Sequence, residues 1–272
     1  MRNEADTRAE LIDPQLVEAG WGSSVNPETE IKREFLISPG QVGPGHNDET
    51  RSVADYVLIY KNRKLAVIEA KKEELDVSEG VGQAKDYAKK LNLNTAFAAN
   101  GKEIYQISME TGQEGLADSF PTPDELWTKT FKQKNEWIEN FNNIPFEFSD
   151  PRHTIRFYQE IAVNNVMQAI AEDKKRILLT LATGTGKTFI AAQIAWKLFK
   201  TKWNLKKDKK RSPRILFLVD RNILADQAFL AFGSFSNDAL TRIDPTDIRR
   251  RGGVPKNATV FFTIYQTIIK SK

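Results

Sequence analysis

"AVIEAKKE", Ala66–Glu73, is the stretch on which the fold turns. With Leu65 before it, Ala66, Val67 and Ile68 make an apolar run that stops on an acid, Glu69, and reaches a base, Lys71, two residues later. Such a run, bounded by charge, predicts a buried β-strand. Residues i and i+2 of a strand share a face, so Glu69 and Lys71 point the same way from its end. Taken alone, two opposite charges at a strand end are a solvated pair of little energetic weight. The strand before it changes that reading. "VADYVLIY", residues 53–60, is joined to the strand at 64–71 by "KNR", residues 61–63. If those three residues form the loop of an antiparallel hairpin, Asp55 faces Glu69. Asp55, Glu69 and Lys71 then line one face at one end of a sheet. Two carboxylates so close can hold a divalent cation, and the lysine can position or deprotonate an attacking water.

The surrounding segments predict a mixed α/β unit. Residues 5–19 are expected to be helical, with Leu11, Leu16 and Ala19 toward a core and Pro14 bending or breaking the run. Ser38 to Ser52 is a Gly/Pro/polar loop. A helix is expected over about 77–91, where Asp76 and Glu79 have capping-box spacing. "TAFAAN" and "EIYQI" supply further strands. Residues 109–150 are rich in polar residues and proline and read as a connector with short helices, one opened by the "TPDE" box at Thr122. Beyond it the order is helix, buried strand, loop, helix, strand, which is parallel α/β architecture. The expected domains are 1–148, with the connector at about 109–148, and 149–272.

Composition narrows the chemistry. Without cysteine there are no disulfides, thiolate zinc sites or cysteine nucleophiles. The two histidines, His46 and His153, lie far apart in the chain, so a metal would sit among carboxylates and water, which favours magnesium or manganese over zinc. No apolar stretch reaches the roughly 18–20 residues of a membrane span, and "MRNEADTRAE" is not a signal peptide, so a cytoplasmic protein is expected. The net charge of +4 conceals a split. Residues 1–150 hold 17 Lys and Arg against 27 Asp and Glu, and residues 151–272 hold 23 against 9. The second part should be drawn to a polyanion.

In that basic part, "RILLTLATGTGKTFIAAQIAWKLF" reads as an apolar strand, a Gly/Thr loop and an amphipathic helix, the setting of a phosphate-binding loop. The loop Gly184–Thr185–Gly186 brings backbone amides to a phosphate chain at the positive end of the helix. Lys187 would reach the β- and γ-phosphates and Thr188 would ligate magnesium. One departure is Leu181, where the G-x-x-x-x-G-K-[ST] pattern has its first glycine. Upstream, "IRFYQEIAV" carries Arg156, Tyr158 and Gln159 just before a helix; a glutamine amide can read an adenine edge, though capping is its commoner use. Downstream, "ILFLVD" ends on Asp220, but Arg221 follows where a Walker B strand usually has a second acid.

In this order R-x-Y-Q, TGTGKT, LVDRNILADQA and TIYQ resemble the first motor lobe of superfamily 2 helicases and translocases. Lys272 precedes the next motif of that family and its second lobe, so the chain is expected to be part of a longer protein. Asp55, Glu69 and Lys71, as D-x13-E-x-K, resemble the PD-(D/E)xK nuclease core, with Ala54 at its usual proline. In "GQAKDYAKKL", Gln83 and Tyr87 one helical turn apart are similar to the Q-x3-Y element of a subset of these nucleases. Glu10 matches the family's frequent extra acid, with Glu4 the alternative. A nuclease followed by such a motor closely resembles the R (restriction and translocation) subunit of type I restriction enzymes. The resemblance implies a mixed-sheet nuclease domain followed by part of a RecA-like parallel-sheet domain. It implies magnesium-dependent cleavage of double-stranded DNA, ATP-driven translocation, and methylation and specificity subunits as partners. The alternatives are a repair or defence nuclease-helicase without methylase partners, and a regulatory nucleotide-binding module with an inert first domain.

Overall fold

The computed structural model describes residues 2–37, 52–131, 135–148, 154–244, 246, 249–250, 252–253 and 258–269. The loop expected from Ser38 onward, His46 and His153 lie outside them. By contacts the chain divides into two units, Met1–Asn143 with Arg156–Ile161, and Ile144–Ile155 with Ala162–Lys272. Among the described residues no helix is long and apolar enough to cross a membrane.

The first unit is built on a six-stranded sheet in chain order: β1 (Thr29–Ile37), β2 (Ser52–Tyr60), β3 (Arg63–Ala70), β4 (Thr95–Ala99), β5 (Ile104–Ser108) and β6 (Glu114–Ala117). Every neighbouring pair is antiparallel except β3 and β4, which run parallel and are joined through helix α3 (Val81–Leu91). Ala84, Ala88 and Leu91, spaced for one helix face, close over Val57, Val67, Ala96 and Ile107. Asn92 ends α3 in the left-handed region, φ 54°, as a helix stop requires. The entry to α3 differs from a capping box. Val77–Gly80 is a 3₁₀ turn, and the Asp76 carboxylate accepts from Ser78 N–H rather than from residue 79.

The hairpin that frames the site has a shorter loop than the sequence suggests. Lys61 and Asn62 alone form it, with φ of 49° and 59°, the paired positive values of a two-residue turn matched to strand twist. Tyr60 pairs with Arg63 and Ile59 with Lys64, but Leu58 pairs with Ala66. The bulge leaves Leu65 as the extra residue on β3 and returns the strands to the expected register, with Tyr56 opposite Ile68.

The first helix is interrupted. α1 (Glu4–Thr7) leads into a π turn at Arg8–Ile12, and α2 (Asp13–Glu18) follows with Pro14 in its first turn. Proline has no N–H to give the preceding turn, which accounts for the loosened hydrogen bonding there. Ile12 and Leu16 are the buried apolar residues of this segment, with Leu11 only partly buried. The stretch read as a connector falls in the first unit as far as Asn143, and its last residues, from Ile144, group with the second. It supplies β6, α4 (Pro123–Thr130), opened by the Thr122–Glu125 capping box as expected, and α5 (Glu136–Asn142), which buries Trp137, Ile138 and Phe141.

The second unit has a parallel sheet in the order β7 (Ile215–Val219), β9 (Val260–Ile264), β8 (Leu240–Arg242). Its core joins Ala192, Ala195 and Trp196 of α7 (Lys187–Lys200) to Ala228 of α8 (Asn222–Ala231) and to Phe232, Phe235, Val260 and Phe262. One expected strand is missing. Residues 176–181, the apolar run before the phosphate loop, have no strand pairing among the described residues, and Leu178 is 89% exposed. Without a hydrogen-bonded neighbour an extended apolar segment has nothing to make it a strand.

Candidate active site

The register of β2 and β3 carries Asp55 and Glu69 to one end of the sheet, one step beyond the Tyr56–Ile68 pair. Asp55 is fixed on both sides. Its Oδ2 accepts the Ala70 N–H at 2.8 Å, and its Oδ1 accepts from Arg8 Nη1 at 3.0 Å. Glu69 is 5% exposed. Its Oε1 accepts from Lys71 Nζ at 2.8 Å, while Oε2 is buried with no hydrogen-bond partner. The Lys71 N–H bonds the Ala99 carbonyl at 2.8 Å, continuing the parallel pairing past the strand end and fixing the lysine's backbone. Its ammonium also donates to Gln83 Oε1 at 2.5 Å, so α3 orients it. Gly80 lets the entry to α3 come this close, since a Cβ there would lie 3.1 Å from Ala98 Cβ and 3.4 Å from Glu69 Cγ.

Burial pushes the Glu69 carboxyl up to about 7, and the charges of Asp55 and Glu4 add to this against the opposing pull of Lys71. For Lys71, burial works against the charge, but the hydrogen bond and charge of Glu69, with Glu4 and Asp55, outweigh it and hold the ammonium above its ordinary value. Burial and the charges of Glu69 and Asp55 also raise Tyr87, one turn beyond Gln83 on α3. Of the two first-helix acids, Glu4 acts on Glu69 and Lys71. Glu10 instead accepts from Arg2 Nε at 2.7 Å at the surface, and no described hydrogen bond or ion pair joins it to Asp55 or Glu69. Sequence reasoning missed Arg8, whose partners Asp55 and Glu34 are 47 and 26 residues away and carry no local signal.

Two carboxylates, one with an unsatisfied buried oxygen, fit a hard divalent cation that takes oxygen donors. Among the described residues no cluster of three or more His, Cys, Asp or Glu could hold a metal. Water and a phosphate oxygen would therefore complete the shell, as is usual for magnesium.

In the second unit Gly184 and Gly186 have φ of 83° and 84°, values that side chains disfavour and a phosphate loop needs. Gly186 caps α7, which starts at Lys187 and Thr188. The Lys187 ammonium rests on the Ala182 and Leu181 carbonyls at 2.9 and 3.2 Å, and Thr185 Oγ1 donates to Ala182 O at 2.7 Å. Gln159 acts as a helix cap, its Oε1 accepting the Arg156 N–H at 3.1 Å at the start of α6 (Phe157–Ala171). Arg156 Nη1 donates to Tyr158 Oη at 2.9 Å. These three residues group by contact with the first unit. Asp220 is 65% exposed beside Arg221.

The chain joins a mixed-sheet unit with this carboxylate–lysine end to a parallel-sheet unit with a phosphate loop, and comparisons with known proteins match both to restriction-enzyme endonuclease subunits. Residues 152–272 match the family described as the res subunit of type III restriction enzymes, and residues 44–123 the second domain of the type I restriction enzyme EcoKI endonuclease subunit. The chain is 36% identical over 260 residues to the type I restriction enzyme EcoAI endonuclease subunit of Escherichia coli, covering 89% of this chain and 30% of that one. It is 27% identical over 287 residues to the EcoKI endonuclease subunit of Escherichia coli strain K12, covering 82% and 23%. A solved fragment described as an HsdR subunit of a type I restriction enzyme from Vibrio vulnificus YJ016 superposes with a TM-score of 0.80 at 37% identity, covering 99% of this chain and 48% of that one. Over most of its length the chain is similar to type I restriction enzyme endonuclease (HsdR) subunits, and it spans less than a third of the length of these curated relatives.

Proposed function

We propose that the protein acts as a type I restriction endonuclease subunit in the cytoplasm, cutting double-stranded DNA with magnesium while ATP drives translocation. In this reading it works with methylation and specificity subunits, which supply site recognition. The observation that carries it is the buried, unpartnered Oε2 of Glu69 beside the Asp55 charge. An unsatisfied buried carboxylate oxygen costs about 1–3 kcal/mol or more, so this position is open to a water or an ion.

Asp55 and Glu69 would hold magnesium, which supplies Lewis acidity toward a phosphate oxygen and an activated water. Lys71, kept as an ammonium, positions that water and offsets developing charge; taking its proton would first require the metal to quench Glu69 and Asp55. Gln83 would hold the Lys71 ammonium in line, with Tyr87 one helical turn beyond it. Glu4, or Glu10 after a rearrangement of its Arg2 pair, would supply a third acid. In the second unit the Gly184–Thr185–Gly186 amides and Lys187 would cradle the ATP phosphates and Thr188 their magnesium. By the family resemblance Arg156, Tyr158 and Gln159 remain the candidates for reading an adenine base. The test is Asp55→Ala in the full-length protein. DNA cleavage should disappear while DNA-stimulated ATP hydrolysis continues; cleavage at the wild-type rate would end the assignment.

A further inference from the structure

The guanidinium of Arg8 spans two acids on neighbouring strands, Asp55 and Glu34. Glu34, with a φ of 51°, interrupts the β1–β2 pairing between Arg33–Tyr56 and Phe35–Ala54, in the gap across from Asp55. Like charges so placed repel. Arg8 answers both, with Nη1 on Asp55 Oδ1 at 3.0 Å and Nη2 on Glu34 Oε1 at 3.2 Å. The two ends differ in their surroundings. The Asp55 and Arg8 side chains are 14% and 18% exposed, whereas that of Glu34 is 71% exposed. Arg8 also opens the π turn Arg8–Ile12, a helix irregularity that recurs where a side chain must be re-aimed for function.

With the Ala70 N–H on its other oxygen, Asp55 has both oxygens engaged. A dication bonded to Oδ1 would meet the guanidinium at close range, and their repulsion in this partly buried corner is large. We infer that Arg8 is a built-in competitor of the metal at Asp55: a divalent cation displaces its Nη1, and the freed guanidinium, still tethered by Glu34, takes a DNA phosphate. Arginine presents a planar fork that fits a phosphate as well as a carboxylate. Metal loading would thereby be weak on the free protein and strong once DNA arrives, which keeps the nuclease idle between substrates. The inference rests on the reading of Asp55 and Glu69 as metal ligands.

Calorimetric titration of Mn²⁺ into the purified 272-residue chain, with and without a short DNA duplex, tests it by binding rather than by cleavage. Without DNA, Arg8→Gln should bind Mn²⁺ about tenfold more tightly than wild type, a modest share of the repulsion relieved. Duplex DNA should tighten Mn²⁺ binding in wild type and do so less in Arg8→Gln. Asp55→Asn separates the two levels of argument. If it leaves Mn²⁺ binding intact, the metal reading fails and this inference with it. If it abolishes binding while Arg8→Gln binds no more tightly than wild type, the metal reading stands and Arg8 is only a clamp between Glu34 and Asp55. Should Arg8→Gln not fold by circular dichroism, Arg8→Lys keeps the charge and loses the fork; a gain of about threefold is then expected, and no gain overturns the inference.

Discussion

Two apolar runs look alike on paper and fare differently. "LAVIEA", Leu65–Ala70, lies between β2 and β4, and all six residues are buried. "ILLTLA", residues 177–182, has the same length and similar composition, yet it pairs with no strand among the described residues and leaves Leu178 89% exposed. The first run is a strand because a hairpin partner lies next to it in sequence and a parallel partner follows one helix later. The second run has no such near partner. A strand is made by its neighbours, and apolar content only permits it. The same contrast separates the two candidate sites. Asp55, Glu69 and Lys71 are held by bonds to the backbone of neighbouring strands and to one another, whereas the described bonds of the Lys187 ammonium go to carbonyls of its own loop.

The two lysines give the largest test of this contrast. In the full-length protein Lys71→Ala should lower DNA cleavage by about 10²–10⁴-fold, the usual scale for a lost proton-handling or positioning group, with ATP hydrolysis retained. Lys187→Ala should remove ATP hydrolysis and, with it, translocation-dependent cleavage, without lowering the melting temperature, because the residue is exposed and its ammonium bonds two loop carbonyls. Assays of phosphate release and plasmid cutting on both variants read the two outcomes together. If either lysine affected both activities in the way expected of the other, the division of labour between the units would be wrong.

A smaller effect addresses the runs themselves. Ile68 is fully buried, so Ile68→Ala in the 272-residue chain should cost about 2–5 kcal/mol. Leu178→Ala should fall within about 0.5 kcal/mol of wild type, as surface changes do. Denaturant unfolding followed by circular dichroism compares them directly. A cost for Leu178→Ala close to that of Ile68→Ala would mean that residues 177–182 are paired in solution, and the contrast would collapse.

What the sequence disclosed follows the same rule of neighbours. The facing of Asp55 and Glu69 was readable because strand alternation and a short loop are local properties. It was reached, however, through a three-residue loop, whereas the chain uses the two-residue Lys61–Asn62 turn and recovers the register at the Leu65 bulge. One extra residue in the loop and one in the strand are equivalent for everything beyond them. β1 was not readable, because Lys32, Arg33 and Glu34 interrupt any apolar alternation on what is a half-exposed strand. The phosphate loop was readable from its glycines and the Lys-Thr pair, but the pairing of the run before it was not. Arg8 was hidden for a further reason: its meaning arises only when β1, β2 and the first helix converge.

The smallest expected effect concerns the charge held inside the locked site. Burial raises Glu69 from its ordinary value of 4.5 to about 7, so the folded chain holds a proton there that the unfolded chain has already released. Between those two values the folded state binds more protons than the unfolded one, and stability must fall as pH rises. The contribution is fully present below about pH 4.5 and lost once pH passes about 7. Glu69→Gln carries no titrating proton, so its melting temperature should decline less than that of wild type from pH 5 to pH 8 in metal-free buffer. The difference should be on the order of 1 kcal/mol, a few degrees for a domain of this size. Adding Mg²⁺ at pH 8 should restore part of the loss in wild type, because the cation stabilises the ionised carboxylate, and should do less for Glu69→Gln. Parallel melting curves for the two proteins across this range would show that Glu69 is already solvated and ionised in the free chain. The site would then be as loosely held as the phosphate loop, and the contrast between the two units would rest on the backbone alone.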